Sequence, residues 1–146
     1  MDYFYDKVII ITGASSGIGL ATAKLFSSKG SKLVLAARSY DKLLQIQSEM
    51  PEPSKVLCVK TDVTVEDDCR NLIQQTVECF GRIDILINNA GISMRALFID
   101  LDLDVMRRLM DTNFWGTVYC TKYALPYLLK TKGSLVGVIS TAGHIG

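Results

Sequence analysis

Charge of either sign is nearly absent as a net quantity. Sixteen Lys and Arg against fifteen Asp and Glu leave +1 at pH 7, which offers no field for nucleic acid or a membrane surface. The four cysteines (Cys58, Cys69, Cys79, Cys120) form no C-x-x-C pair. Cys69 and Cys79 fall within one predicted helix, so buried, reduced thiols are expected, with no metal site and no disulfide. No apolar run approaches a membrane span, and Met1-Asp2-Tyr3 lacks the basic start of a signal peptide. A soluble, cytoplasmic protein is the expectation. Internal repeats, low-complexity stretches and linkers are missing too, and 146 residues are one domain's worth of chain.

What is present is organised around Val8-Ile9-Ile10-Ile11-Thr12-Gly13-Ala14-Ser15-Ser16-Gly17-Ile18-Gly19. A short, fully apolar run suits a strand buried on both faces of a parallel sheet. Gly13 permits a tight turn, while Gly17 and Gly19 leave no Cβ in the way of a phosphate or of helix-on-strand packing. The N–H groups opening the following helix make an anion site above the strand end.

Short β-branched runs then alternate with helical patterns. A helix over Gly17–Lys29 stops at Gly30, and Lys32–Ala37 is a second strand. Ser39 can cap a helix carrying Leu43, Leu44, Ile46 and Met50, which Pro51 closes. Lys55–Lys60 is a third strand, and Thr64 with Asp67 has capping-box spacing. The next helix places Cys69, Leu72, Ile73, Thr76, Val77 and Phe80 on one face and ends at Gly81. Ile85–Asn88 is a fourth strand. A helical region over about 102–130, broken near Asn113 and Pro126, leads to a fifth strand, Ser134–Ser140. Right-handed crossovers between such elements predict an α/β fold with one parallel sheet in the order 3-2-1-4-5 and helices on both faces. The ligand then belongs at the switch point between strands one and four.

Thr12-Gly13-Ala14-Ser15-Ser16-Gly17-Ile18-Gly19 followed by Asn88-Asn89-Ala90-Gly91 closely resembles the short-chain dehydrogenase/reductase family. The glycine spacing is G-x-x-x-G-x-G rather than the G-x-G-x-x-G of most Rossmann dehydrogenases. Asp62-Val63, Asn113 and Ser140 match in the same order, so the resemblance covers nearly the whole chain. It implies a Rossmann-like domain over residues 1–146, a nicotinamide cofactor, and hydride transfer between a small-molecule alcohol and a carbonyl.

Candidate cofactor-binding residues are Gly13, Ser15, Ser16, Gly17, Ile18, Gly19, Arg38, Ser39, Asp62, Val63, Asn89, Ala90 and Gly91. Asp62 could accept from the adenine amino group or cap the turn into Thr64. By resemblance, Asn89 and the backbone after it line the cofactor ribose site, whereas Asn88 is read as tying neighbouring strand ends. By resemblance also, Ser140 hydrogen-bonds the substrate carbonyl oxygen and Asn113 holds a water in the proton relay. Taken alone, Ser140 could be a turn residue, and Asn113 could bond its own backbone and break the helix. Met94, Arg95 and Phe98 could face substrate or solvent.

The family's Tyr-x-x-x-Lys pair should lie beyond the serine, where only Thr141-Ala142-Gly143-His144-Ile145-Gly146 follow. Tyr119 and Tyr123 precede strand five and, with Tyr127, have the spacing of a packing face. The sixth strand of a full sheet is absent as well, so an N-terminal part of a longer reductase is expected. His144, the only histidine, has no visible carboxylate partner. A complete but non-catalytic dinucleotide-binding module is the alternative. An NAD site would place Asp or Glu at the end of strand two; here Ala37 and Arg38 stand there, which points to NADP(H) before NAD(H). Homo-oligomers are common in the family and are expected here.

Overall fold

Val8–Thr12 forms β1, and every one of its residues is buried. Alternating side chains leave a strand on opposite faces, and both faces here are covered. Ile9 and Ile11 join Leu33, Leu35 and Cys58 in one apolar cluster, while Ile10 joins Val34, Ala36, Val59 and Leu86 in the other. The computed structural model describes residues 2–141 of the chain.

Five parallel strands form the sheet: β1, β2 (Lys32–Ala37), β3 (Val56–Lys60), β4 (Ile85–Asn88) and β5 (Ser134–Gly137). Their order is β3-β2-β1-β4-β5, as the alternation of elements predicts. β1 sits at the centre, with Ile10 level with Val34 on one side and Leu86 on the other. Helices α1 (Gly17–Ser28) and α2 (Tyr40–Ser48) cover the first face through Ala23, Leu43 and Ile46. Helices α3 (Glu66–Phe80) and α5 (Gly116–Thr131) cover the second through Cys69, Leu72, Ile73, Cys120, Ala124 and Leu128. Each of the larger aliphatic side chains so buried is worth about 1.5–3 kcal/mol relative to exposure.

Several local expectations change on contact with the structure. Thr64 and Asp67 make no capping box: Val65 precedes α3, and its side chain makes no capping bond. Instead the Asp62 carboxylate accepts from the Thr64 N–H at 3.0 Å and its hydroxyl at 2.7 Å, and Asp68 accepts from the Asp62 N–H at 2.9 Å. Ser39 occupies the position before α2 without a side-chain cap. Pro53–Lys55 forms a short 3-10 turn, so β3 begins at Val56. Pro126 does not interrupt α5. It lies on the exposed side of the helix, where a carbonyl deprived of its partner can turn to water. β5 ends at Gly137, three residues before Ser140.

Cys58, Cys69 and Cys120 are buried, but Cys79 is exposed. Burial raises the Cys58 thiol to about 11. Cys120 is also raised, by a hydrogen bond with Cys69 and by burial. Neither thiol carries thiolate character near neutral pH.

At the opposite end of the strands from the glycine turn, Asp84 joins three elements. Its carboxylate accepts from the Val8 N–H at 3.0 Å and from Arg82 at 2.6 Å, with Lys7 at 3.7 Å. Its carbonyl accepts from the Ser134 N–H at 2.9 Å, where β5 begins. The residue is 3% exposed. Asp84→Ala strands the buried Val8 N–H and should lower stability by about 1–3 kcal/mol. Asp84→Asn keeps an acceptor and should restore much of the loss, as read by urea denaturation.

Candidate dinucleotide cleft

The upper ends of β1 and β4 are stitched together by one hydroxyl and one amide. Thr12 Oγ1 accepts from the backbone N–H groups of Asn89 and Ala90, both at 3.0 Å. Asn89 Nδ2 returns two bonds, to the carbonyls of Thr12 at 3.0 Å and Gly13 at 3.2 Å. Between them the chain turns at Gly13, which has φ +64°. A Cβ there would lie 2.9 Å from Ala90 Cα. Only glycine satisfies both the conformation and the approach.

Gly19 serves the same junction from the helix side. A Cβ on it would run into the Gly13 carbonyl and come within 2.5 Å of Asn89 Nδ2. It is buried behind the turn rather than on the cleft wall. Gly17 is the opposite case: φ is +53° and nothing lies within 4 Å of the place a Cβ would take, so the backbone is open to an approaching group. The Leu20 N–H makes its bond to the Ser16 carbonyl at 3.1 Å. The N–H groups of Gly17, Ile18 and Gly19 precede that bond and have no acceptor within the helix. Such donors attract an anion.

Around this turn lies an open cleft of about 920 Å³. Of the thirteen residues expected to bind cofactor, all but Gly19 border it: Gly13, Ser15, Ser16, Gly17 and Ile18 after β1; Arg38 and Ser39 after β2; Asp62 and Val63 after β3; Asn89, Ala90 and Gly91 after β4. They come from four strand ends and meet only because the sheet order brings those ends together. The wall also includes Arg108, Asp111 and Thr112, which sequence reading passed over. Their signal was the four-residue spacing of Arg108, Thr112 and Gly116, one helical face.

Asn113 and Ser140 stand apart from that wall. Asn113 lies in a single π-helical turn, 111–115, between α4 (Leu103–Met110) and α5. Its amide does not bond its own helix. Oδ1 accepts from the Ile92 N–H and Nδ2 donates to the Ile92 carbonyl, both at 2.9 Å. This bidentate clamp pins the strand exit after Gly91 to the wide turn. Asn88 ties elements as expected, donating to Thr121 Oγ1 at 3.1 Å and accepting from the Val138 N–H at 3.0 Å. That last bond leads the chain from β5 towards Ser140, which is exposed. Met94 is half-buried, and Arg95 and Phe98 are exposed. His144 lies outside the described residues. Tyr119, Tyr123 and Tyr127 pack on the α3–α5 side, and Tyr123 bonds Glu66 and Arg70. Tyr3 and Lys7 carry the Tyr-x-x-x-Lys spacing, but they lie at the Asp84 end of the strands.

A doubly wound parallel sheet with a glycine turn and open helix N–H groups at its switch point is a Rossmann-like α/β arrangement. The family described as short chain dehydrogenase matches residues 7–146. The chain belongs to that family of oxidoreductases. It is 42% identical over 145 residues to 11-beta-hydroxysteroid dehydrogenase 1A of Arabidopsis thaliana, covering 97% of this chain and 41% of the relative. An uncharacterized oxidoreductase of Staphylococcus saprophyticus is 43% identical over 146 residues, with 99% and 59% covered. Among solved structures, a short chain dehydrogenase from Bacillus anthracis superposes with a TM-score of 0.90 at 35% identity, covering 97% of this chain and 60% of that one. The KRED1-Pglu enzyme gives 0.88 at 36% identity, with 93% and 57% covered. The chain thus spans about 41–60% of the length of these proteins.

The Asn113 clamp is separable from the rest of the cleft. Asn113→Ala should speed hydrogen exchange at the Ile92 amide roughly tenfold or more, the equivalent of one lost hydrogen bond of about 1–1.5 kcal/mol. Amides of β1 should be unaffected at matched global stability.

Proposed function

We propose that the full-length protein is an NADP(H)-dependent oxidoreductase that interconverts a small-molecule alcohol and a carbonyl compound in the cytoplasm. The observation that carries the cofactor preference is the exit of β2. Buried Ala37 ends the strand, and the exposed Arg38 borders the cleft in the place where an acidic residue would bind a ribose diol. A guanidinium there can pair with a 2′-phosphate in fork geometry. Ser16 or Ser39, on the same wall, can add a hydrogen bond.

A bound nicotinamide would supply or accept the hydride. Residues of this chain do the rest of the positioning. The N–H groups opening α1 face the pyrophosphate, Asp62 keeps acceptor capacity for the adenine amino group, and Asn89 to Gly91 flank the second ribose. The Ser140 hydroxyl donates to the carbonyl oxygen and holds it as negative charge develops. The Ile92 clamp uses one N–H and one acceptor site of the Asn113 amide. One N–H and one lone pair are left with which to hold a water. In the family's pattern, the proton donor for the alkoxide is a tyrosine of a Tyr-x-x-x-Lys pair. Such acid catalysis is worth roughly 10²–10⁴-fold.

The second reading is a dinucleotide-binding module without turnover. A homo-oligomer is proposed as well. It is supported by the exposed apolar residues Met106 and Met110 on α4, and static light scattering should give more than one copy per particle.

Calorimetry tests the cofactor reading on the full-length protein. NADPH should bind at least tenfold more tightly than NADH, and Arg38→Ala should erase most of that ratio. Equal affinities in the unmodified protein would refute it. In the same protein, oxidation of NADPH across a panel of carbonyl compounds should be detectable and badly impaired by Ser140→Ala. Binding without turnover on any carbonyl would select the module instead. A polypeptide ending at Gly146 should bind NADPH with negligible turnover.

A further inference from the structure

We infer that Arg108, on the α4 wall, sets the charge of the cleft and holds the phosphate-bearing adenosine half of the dinucleotide from the side opposite α1. This rests on the reading of the cleft as a dinucleotide site. The position follows from packing one turn at a time. Gly116 opens α5 against the loop after β3, so closely that a Cβ would lie 2.7 Å from Val63 Cγ2. Thr112 and Arg108 lie four and eight residues earlier, on the side of the helical rod that continues past Val63 out over the strand ends. Both border the cleft, together with Asp111. The neighbouring Arg107 pairs with Asp104 at 2.6 Å. Among the described residues, Arg108 has no ion pair of its own. It is an exposed cation whose borders are the cleft.

The charge balance gives that placement its meaning. Among the described residues, four ionisable ones line the cleft: Arg38 and Arg108 against Asp62 and Asp111. Without Arg108 the wall would carry one net negative charge while facing a ligand that is itself a polyanion. Fields are focused inside a cleft with low-dielectric walls, so one missing cation is felt there more than on open surface. Gly116 packs on Val63, and Arg108, eight residues earlier on the same rod, is assigned to that adenosine end, with Asn89 to Gly91 at the other. An arginine so placed favours ligands with extra phosphate charge. It should therefore act with Arg38, though from another element of the fold.

The experiment is calorimetry on the full-length protein and its Arg108→Ala and Arg108→Lys variants, with NADPH, NADH and adenosine 2′,5′-bisphosphate, at low and high salt. At about 50 mM salt, Arg108→Ala should weaken NADPH and the bisphosphate by roughly three- to tenfold, and NADH by less. The loss should shrink near 500 mM, where screening shortens to a few ångströms. Arg108→Lys, which keeps the charge, should stay within about twofold of the unmodified protein. The thermal midpoint without ligand should not move, since the side chain is exposed. Unchanged NADPH affinity in Arg108→Ala at low salt, or a loss independent of salt, would overturn the inference. A loss for NADPH with none for the bisphosphate would overturn its placement at the adenosine end. Failure of the unmodified protein to bind any dinucleotide would reject the cleft reading itself, a result distinct from all of these.

Discussion

The contact on which the rest depends is the Thr12–Asn89 exchange at the head of the sheet. Four hydrogen bonds cross from β1 to the chain leaving β4, and they involve one side-chain hydroxyl and one side-chain amide. They bring the two strand ends close enough that Gly13 and Gly19 admit no side chain. The crevice beside them opens because the chain departs towards α1 from one strand and towards the Ile92 clamp from the other. A parallel sheet has such a point only where the strand order reverses. The residues that line the cleft are arranged around it.

That junction is held from below by a sheet with no freedom to slip. β1 is covered on both faces by aliphatic side chains from four helices. A shift of register would exchange the residues of one cluster for those of the other. Asp84 fixes the other end of the strands through polar contacts to β1 and to the start of β5. Stability is thus concentrated in the interior and at the lower rim. The upper rim is built of glycines, serines and backbone donors that are free to meet a ligand.

The wide turn at 111–115 connects these two roles. It lies in a rod that packs against the core through Cys120, Ala124 and Leu128 and then rises over the cleft as α4, which buries no residue. A π-helical turn rotates the adjoining helix about its axis, and such turns are frequent where function requires it. Here it turns Asn113 towards Ile92, while Arg108, Asp111 and Thr112 line the cleft. One helical element therefore contributes to the core, to the clamp and to the wall.

The sequence alone carried the strand order, the two-sided core and the glycine turn. All three follow from local patterns: aliphatic runs of four to six residues, helical periodicity between them, and glycines where a side chain cannot fit. β2 and β4 have the limits that their apolar runs indicate. Twelve of the thirteen expected cofactor residues border one cleft, because strand-end motifs in a parallel sheet converge once the order is set. The tertiary structure alone decided what depends on partners distant in sequence. Asp62 serves Thr64 and Asp68 serves Asp62 in place of a Thr64–Asp67 box; Pro126 is tolerated because its side of α5 faces water; Asn113 reaches Ile92, 21 residues away. Arg108 reads as an ordinary surface cation until the fold sets it on the cleft wall. Local pattern sets which residues turn inward, but the direction of a helix over a strand end is set by close packing between segments that the sequence does not place side by side.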